Sequence, residues 1–297
     1  MSGQLKEVRQ RIASVTSTQQ ITNAMKMVSA AKLRRAQNAI LDMRPYAQKL
    51  QGVLSNIISA ESSDLKIALA EEREMEKVIM VVITSDRGTC GAYNANVIKK
   101  AVEKINSSYL KQKESGNLSV LTIGKKGYDY FKRHNYTIID EFMSLLTQIS
   151  FEEVKKVADF LQKAYLNKEV DKVELVYSQF QNAVVQNFIT EDYLPIPKKE
   201  KIESEEAKEM ETDFLFEPSK EELIENLMPI ILNTQIYKAV LDANASEHGA
   251  RMTAMDKATE NANELIRELK ISYNRARQAA ITTELTEIVS GAAALNG

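Results

Sequence analysis

Apolar residues recur near the start of the chain at steps of three and four. Leu5, Val8, Ile12 and Val15 open the series, and Leu33, Ala36, Ile40, Met43, Ala47, Leu50, Leu54 and Ile57 resume it. Alternating steps of three and four are the seam of a heptad repeat, so the pattern predicts one helix over about 3–58. Between the two runs the apolar positions are Ile21, Met25 and Val28. They predict that the seam drifts through 16–30, as a non-heptad insertion would make it do. Pro45 predicts a kink or a locally loosened turn. At about 1.5 Å per residue, such a helix is a rod of roughly 80 Å.

The period then changes. VIMVVITS (78–85) is a continuous β-branched run and reads as a buried strand. DRGTCGAYN follows as a loop, NVIKKAVEKI as an amphipathic helix and LSVLTIG (118–124) as a second strand. A short helix near 126–133 and a third strand in YTIIDEF come next. Ser150 and Glu153 form a capping box before a helix at 151–167. KVELVYSQF (172–180) and AVVQNFITEDYLP (183–195) close the segment as two strands with a short turn between them. Strands alternating with helices predict a mostly parallel sheet covered on both faces, with an antiparallel pair at its end.

A second long helix is predicted after Pro218, opened by a capping box of Ser219 and Glu222 and interrupted at Pro229. Its seam runs Leu241, Ala245, His248, Met252, Met255, Thr259, Ala262, Ile266, Leu269, Tyr273, Ala276. Ile281, Leu285, Ile288, Ala292 and Leu295 continue it in a register shifted by one. The simplest way to bury both long seams is against each other, with the middle segment returning the chain so that the helices run antiparallel. The expected fold class is therefore α/β plus a long antiparallel coiled coil, with N- and C-terminal long helices flanking a Rossmann-like α/β domain. The expected division is an N-terminal helix at 1–60, the α/β domain at 75–196, a charged linker and foot at 197–218 and a C-terminal helix at 219–297.

Composition narrows the function. The net charge of −2 does not mark a dedicated nucleic-acid binder, and aromatics make up only 6% of the chain. Charge is uneven: residues 1–50 carry nine Lys/Arg against Glu7 and Asp42, a net of +7, which leaves the rest near −9. That end is either a solvated helix face or a surface laid against acidic partners. Cys90 is the single cysteine, so an internal disulfide is impossible and a reducing compartment is expected. No apolar run reaches the roughly 18 residues of a membrane span, and the N-terminus lacks a signal-peptide core. The run at 198–211 has ten charged residues in fourteen and reads as an exposed linker.

Catalytic chemistry has no convergent cluster to carry it. GKKG (124–127) lacks the spacing of a phosphate-cradling loop. DRGTCG (86–91) follows a strand as phosphate loops do, but Gly88 and Gly91 there suit a tight turn. His134 and His248 stand far apart, and His248 lies on the helical seam, so packing is the expected role for it and no metal is expected. Cys90, a small side chain after a strand, suits burial. No cofactor is expected.

Four stretches are similar to the gamma subunit of F-type ATP synthases. They are IASVTSTQQITNAMKMVSAAKLRRAQ (12–37) with RPYA (44–47), SDRGTCGAYN (85–94), FLFEPS (214–219), and ASEHGARMTAMDKATENA (245–262) with YNRARQAAITTELTEIVSGAAAL (273–295). They lie in order and span nearly the whole chain.

The resemblance implies a central rotary stalk with no active site of its own. One copy would stand inside a hexamer of alpha and beta subunits, beside epsilon and above the c-ring. It would couple proton-driven rotation to ATP synthesis or hydrolysis at beta sites, and regulate ATPase activity and proton flow. The resemblance further implies a peripheral protein on the cytoplasmic side of a bacterial plasma (inner) membrane, and the absence of a transit peptide before the first helix fits that expectation. Residue by residue, it implies that Met25 and Lys26 lie near the lever region of beta. Arg251, Gln278, Thr282 and Glu284 match positions that meet the catch loop of beta or stabilise the shaft, and Phe214 and Glu217 match the foot near the c-ring. Plastid relatives carry an inserted cysteine pair that this chain lacks, so thiol regulation is not implied.

Overall fold

A computed structural model describes residues 2–59, 68–71, 73–196 and 220–295. The charged run at 198–211, Phe214, Glu217 and Ser219, the first member of the expected capping box, lie outside them. The chain divides into two compact units. One is built from residues 1–30 and 251–297, the other from 31–250. Two helices run through both: α1 (Ser2–Ser59) and α6 (Lys220–Leu295).

The larger unit holds a five-stranded sheet. Its strands are β1 (Val78–Ile83), β2 (Leu118–Ile123), β3 (Thr137–Ile139), β4 (Lys172–Phe180) and β5 (Gln186–Leu194), in the order β3-β2-β1-β4-β5. The first four are mutually parallel and β5 returns antiparallel to β4, as the alternating pattern predicts. Continuous apolar strands must be covered on both faces, and here they are. Val78, Met80 and Val82 pack with α2 (Tyr93–Ser108) and α4 (Lys125–Arg133). Ile79, Val81 and Ile83 pack with α5 (Phe151–Leu166) and with Met228, Leu232, Ile236, Ala239, Val240 and Ala243 of α6. The first part of α6 is thus a layer helix of this domain, although the pattern alone pairs it with the other long helix. A short helix, α3 (Leu110–Glu114), which the pattern does not predict, links α2 to β2. Ser150 caps α5 as expected, its side chain accepting from the Glu153 N–H at 3.2 Å.

The smaller unit is an antiparallel pair. Arg9 of α1 donates to the Tyr273 hydroxyl at 2.9 Å, Thr259 donates to Thr22 at 2.8 Å, and Lys26 meets Asp256 at 2.5 Å. As residue numbers rise on α1 they fall on α6, at the same pace: 9 to 26 on one, 273 to 256 on the other.

Two expectations about the seam are overturned. The seam of α1 does not drift. Leu5 and Leu33 are four whole heptads apart, and the positions of that frame after Val15 are Gln19, Thr22, Lys26 and Ser29, with Met25 half-buried beside them. Thr22 and Ser29 are buried, while Ile21, Met27 and Val28 stand exposed. Thr22, Lys26 and Ser29 can hold the seam because each side chain has a hydrogen-bond partner: Ser29 donates to the Met25 carbonyl, Thr22 donates to the Gln19 carbonyl and accepts from Thr259, and Lys26 donates to the Asp256 carboxylate. Nor does Ile281 restart the seam of α6 in a shifted register. The half-buried positions after Ala276 are Ala280 and Thr283, which keep the old one.

Neither proline breaks its helix. Pro45 lies on an exposed face, where the Leu41 carbonyl it leaves without an N–H can turn to water.

Candidate functional site

In open α/β sheets ligands bind beyond the carboxyl ends of the strands, where the strand order reverses. Here that place lies between β1 and β4. The loop after β1 leaves from that place, and its polar groups bond one another and the turn after β2. Asn94 accepts from the Ser85 N–H at 2.9 Å and donates to the Ser85 hydroxyl at 2.8 Å and to the buried Cys90 sulfur at 3.2 Å. The first N–H groups of α4, the type that phosphates bind, are taken by this loop. Lys125 N–H bonds the Asp86 carboxylate, Lys126 N–H the Ser85 carbonyl, and Gly127 N–H the Thr84 hydroxyl at 2.8 Å. Gly124 has φ of 99°, and a Cβ there would stand 2.5 Å from the Thr84 carbonyl oxygen, so the contact is closed to any side chain. On the β4 side, Ser246 of α6 donates to the Ser178 carbonyl at 3.1 Å. The resemblance to a phosphate loop therefore ends in a self-satisfied turn. Among the described residues no three His, Cys, Asp or Glu side chains converge as metal ligands would. A shallow groove of about 580 Å³ lies between α2 and α4, lined by Lys99, Glu103, Lys126, Asp129 and Arg133 among others. It has no nucleophile beside a base.

The surfaces that face outward are more informative. In the smaller unit Ile21, Met27 and Val28 of α1 are 57–63% exposed. With Tyr273 level with Arg9, the first residue of α1 comes level with Ala280, so α6 continues past the start of its partner. Over 281–293 every residue but Thr283 is exposed, and Ile281, Leu285, Ile288 and Val289 put four large apolar side chains on that projection. Apolar side chains held in water on rigid helix mark a surface that another chain covers.

The candidate residues from the sequence divide as follows. Met25 and Arg251 are half-buried in their helices. Lys26 is held by Asp256 of the same chain, an intramolecular partner that sequence reading missed. Thr282 and Glu284 lie exposed on the projecting part of α6 and Gln278 lies exposed just before it, where Thr282 donates to the Gln278 carbonyl at 3.0 Å. Phe214 and Glu217 lie outside the described residues. The structure therefore brings Lys26 together with Asp256, and sets Gln278, Thr282 and Glu284 on one helix end. Sequence reading also missed the exposed trio on α1. The signal was present, since Ile21 and Val28 are one heptad apart but out of frame with Leu5 and Leu33.

A family model described as ATP synthase matches residues 4–295. The chain belongs to the ATP synthase gamma family. The ATP synthase gamma chain of Cytophaga hutchinsonii is 49% identical over 292 residues, covering 98% of this chain and 99% of that one. The ATP synthase gamma chain of Flavobacterium johnsoniae is also 49% identical, over 294 residues and 99% of each chain. Among solved structures, a chain of the Euglena gracilis mitochondrial ATP synthase, from its OSCP/F1/c-ring assembly, matches with a TM-score of 0.66 at 20% identity, over 99% of this chain and 95% of that one. A chain of the Tetrahymena thermophila central stalk and c-ring matches at 0.55 and 22%, over 80% of this chain and 99% of that one. These two share the fold. The Cytophaga and Flavobacterium relatives are thus named as gamma chains, one subunit of the ATP synthase. Among the described residues no helix is long and apolar enough to cross a membrane.

Proposed function

We propose that this chain is the rotating shaft of a proton-translocating ATP synthase. It couples rotation of a c-ring to ATP synthesis or hydrolysis at beta-subunit sites, and through that coupling limits idle ATPase activity and proton flow. The observation that carries the reading is the projecting end of α6, a single rigid helix with Ile281, Leu285, Ile288 and Val289 exposed beyond the end of α1. A bearing needs such a surface: apolar, without charge pairs that would hold one angular position, and set on a stiff element. Each beta site is biased only by contacts that differ between angular positions of the shaft, and one asymmetric helix pair inside a threefold ring provides that difference.

On this reading one copy works with the alpha and beta hexamer, epsilon and the c-ring, as a peripheral subunit on the cytoplasmic face of a bacterial plasma membrane. The functional division follows the expected one, with helices at 1–60 and 219–297, a globular domain at 75–196 and a foot at 197–218. Met25, Lys26, Arg251, Gln278, Thr282 and Glu284 are coupling contacts to beta, and Phe214 and Glu217 are contacts at the foot. The solved neighbours, which include chains of a rotor and of a central stalk with its c-ring, support the assignment by analogy.

The test is purification of the assembled complex through a tag on another subunit. The expected result is one copy of this chain per complex, with ATP-driven proton pumping in membrane vesicles. Replacing Leu285 and Ile288 together by Asp is expected to lower pumping by roughly tenfold while the chain's own fold persists. A complex that lacks this chain, or unaltered pumping in the double variant, overturns the reading.

A further inference from the structure

A glycine in a helix interior costs about 1 kcal/mol relative to alanine, so one kept there in a 76-residue helix calls for a packing reason. Gly249 of α6 has one. A Cβ on it would come within 3.2 Å of both the Cα and the carbonyl oxygen of Ala183. Ala183 is at the tip of the β4–β5 hairpin, which Asn182 stiffens by accepting from the N–H groups of Val184 and Val185 at 2.9 and 2.8 Å. The tip backbone therefore lies directly on the α6 backbone. Ser246, three residues earlier on the same helix, donates to the Ser178 carbonyl near the end of β4. Three residues earlier again, the Ala243 carbonyl accepts from the buried Tyr93 hydroxyl at 3.1 Å. Residues three apart share a helix face, so Ala243, Ser246 and Gly249 form one row, tied in turn to α2, to β4 and to the hairpin tip. Ala250 beside them packs against the core on the α2 face of the sheet. The row ends where α6 passes from the larger unit into the smaller one, at Arg251.

We infer that the β4–β5 hairpin is a clasp seated on α6 at Gly249, and that it holds α6 against the sheet under torque. Gly249 is a positioning residue in this account. It touches no nucleotide, and its small size allows the hairpin backbone to bear on the helix. The inference rests on the shaft reading above, because a clasp under torque has meaning only in a rotor. A contact between two backbones suits this task, since backbone atoms on regular elements yield less than long side chains do. Sideways force on α6 is met by the hairpin, and slippage along the helix is met by the Ser246 and Tyr93 hydrogen bonds.

The experiment compares Gly249→Ala and Gly249→Val in the assembled complex. Each is made in the full-length hairpin and in a hairpin whose tip, 182–184, is replaced by Asn-Gly. With the full hairpin, the valine variant is expected to speed amide exchange at 184–187 by about tenfold, leave exchange in β1 unchanged, and lower proton pumping relative to ATP hydrolysis by about fivefold. In the shortened hairpin, Gly249→Ala is expected to turn stabilising, because only helix propensity then remains. That reversal of sign separates a seat for the hairpin from an ordinary helix effect. If the valine variant does not assemble, the alanine pair decides by the same reversal. Unchanged exchange at 184–187, an absent reversal, or faster exchange with undiminished pumping would each overturn the clasp. A complex that lacks this chain altogether would instead overturn the shaft reading.

Discussion

Lys26 and Asp256 meet at 2.5 Å across the two helices of the smaller unit, at a seam position where a heptad would ordinarily carry an apolar side chain. Both are about 40% exposed, so water screens the pair and its net worth is small. Its effect is chiefly on register. A slip of seven residues would still set apolar layers against apolar layers, but it would bring Lys26 level with Gly249 or Asn263 and Thr22 level with Met252 or Ile266. A double-mutant cycle with Lys26→Met and Asp256→Ala is expected to give a coupling of about 0.5–1 kcal/mol that shrinks with added salt. The exchanged pair, Lys26→Asp with Asp256→Lys, is expected to recover most of that loss. Urea unfolding at low and high salt checks both, and a salt-independent coupling would refute the ionic account.

Asp242 of α6 is buried, and burial pushes its carboxyl up to about 6, against the opposing charges of Lys238 and Arg44 and with help from Glu191. The sign follows from the folded value lying above the ordinary 3.8. Between those two values the folded protein holds a proton that the unfolded chain has released, so this group favours folding as pH falls through about 6 and opposes it above. The penalty at neutral pH is on the order of 3 kcal/mol. Asp242→Asn is therefore expected to raise stability at pH 8 by on the order of 1–3 kcal/mol and to change it little at pH 4. Unfolding midpoints across that range measure it. An equal effect at both ends would show that the carboxylate is not the cause.

Glu174 of β4 is wholly buried, with one oxygen 2.5 Å from the Tyr109 hydroxyl and 3.2–3.4 Å from Lys172 and Lys104. Burial raises the Tyr109 pKa, and its hydrogen bond to Glu174 raises it further. Lys172 also pairs with Asp192 at 3.0 Å, which holds the Asp192 carboxyl below its usual range against the effect of burial. Tyr109→Phe leaves a buried carboxylate short of a donor and is expected to cost about 2–3 kcal/mol. Tyr109→Phe combined with Glu174→Leu is expected to be more stable than the single Phe variant, since both buried partners are then apolar. Denaturant midpoints of the three proteins suffice, and a double variant weaker than the single would contradict this.

The strands and layer helices were legible because their residues obey one rule at a time. KVELVYSQF is β-branched and aromatic between turn signals, and β4 covers 172–180 as predicted. Ser150 and Glu153 sit three apart before an apolar period, and the cap forms. The middle of α1 was misread because apolar character was taken to mark the inside. Ile21, Met27 and Val28 are outside and Thr22 and Ser29 inside, an inversion that shows only when the frame of Leu5 and Leu33 is carried through the polar positions. The end of α6 failed for the same reason, since Ile281 and Leu285 follow the surface they present and not the seam. The pairing of Lys26 with Asp256 joins residues 230 apart, beyond the reach of any local pattern.

The smaller unit has a consequence for biosynthesis. It is made of residues 1–30 and 251–297, so its two halves leave the ribosome 220 residues apart. At roughly 5–20 residues per second, the start of α1 waits more than ten seconds for its mate. During that time its apolar positions have no intramolecular cover from α6. The larger unit, complete by residue 250, can fold before residues 251–297 emerge. The two-helix unit thus forms after the sheet domain, and a nascent chain stalled short of residue 251 would have the sheet domain without it.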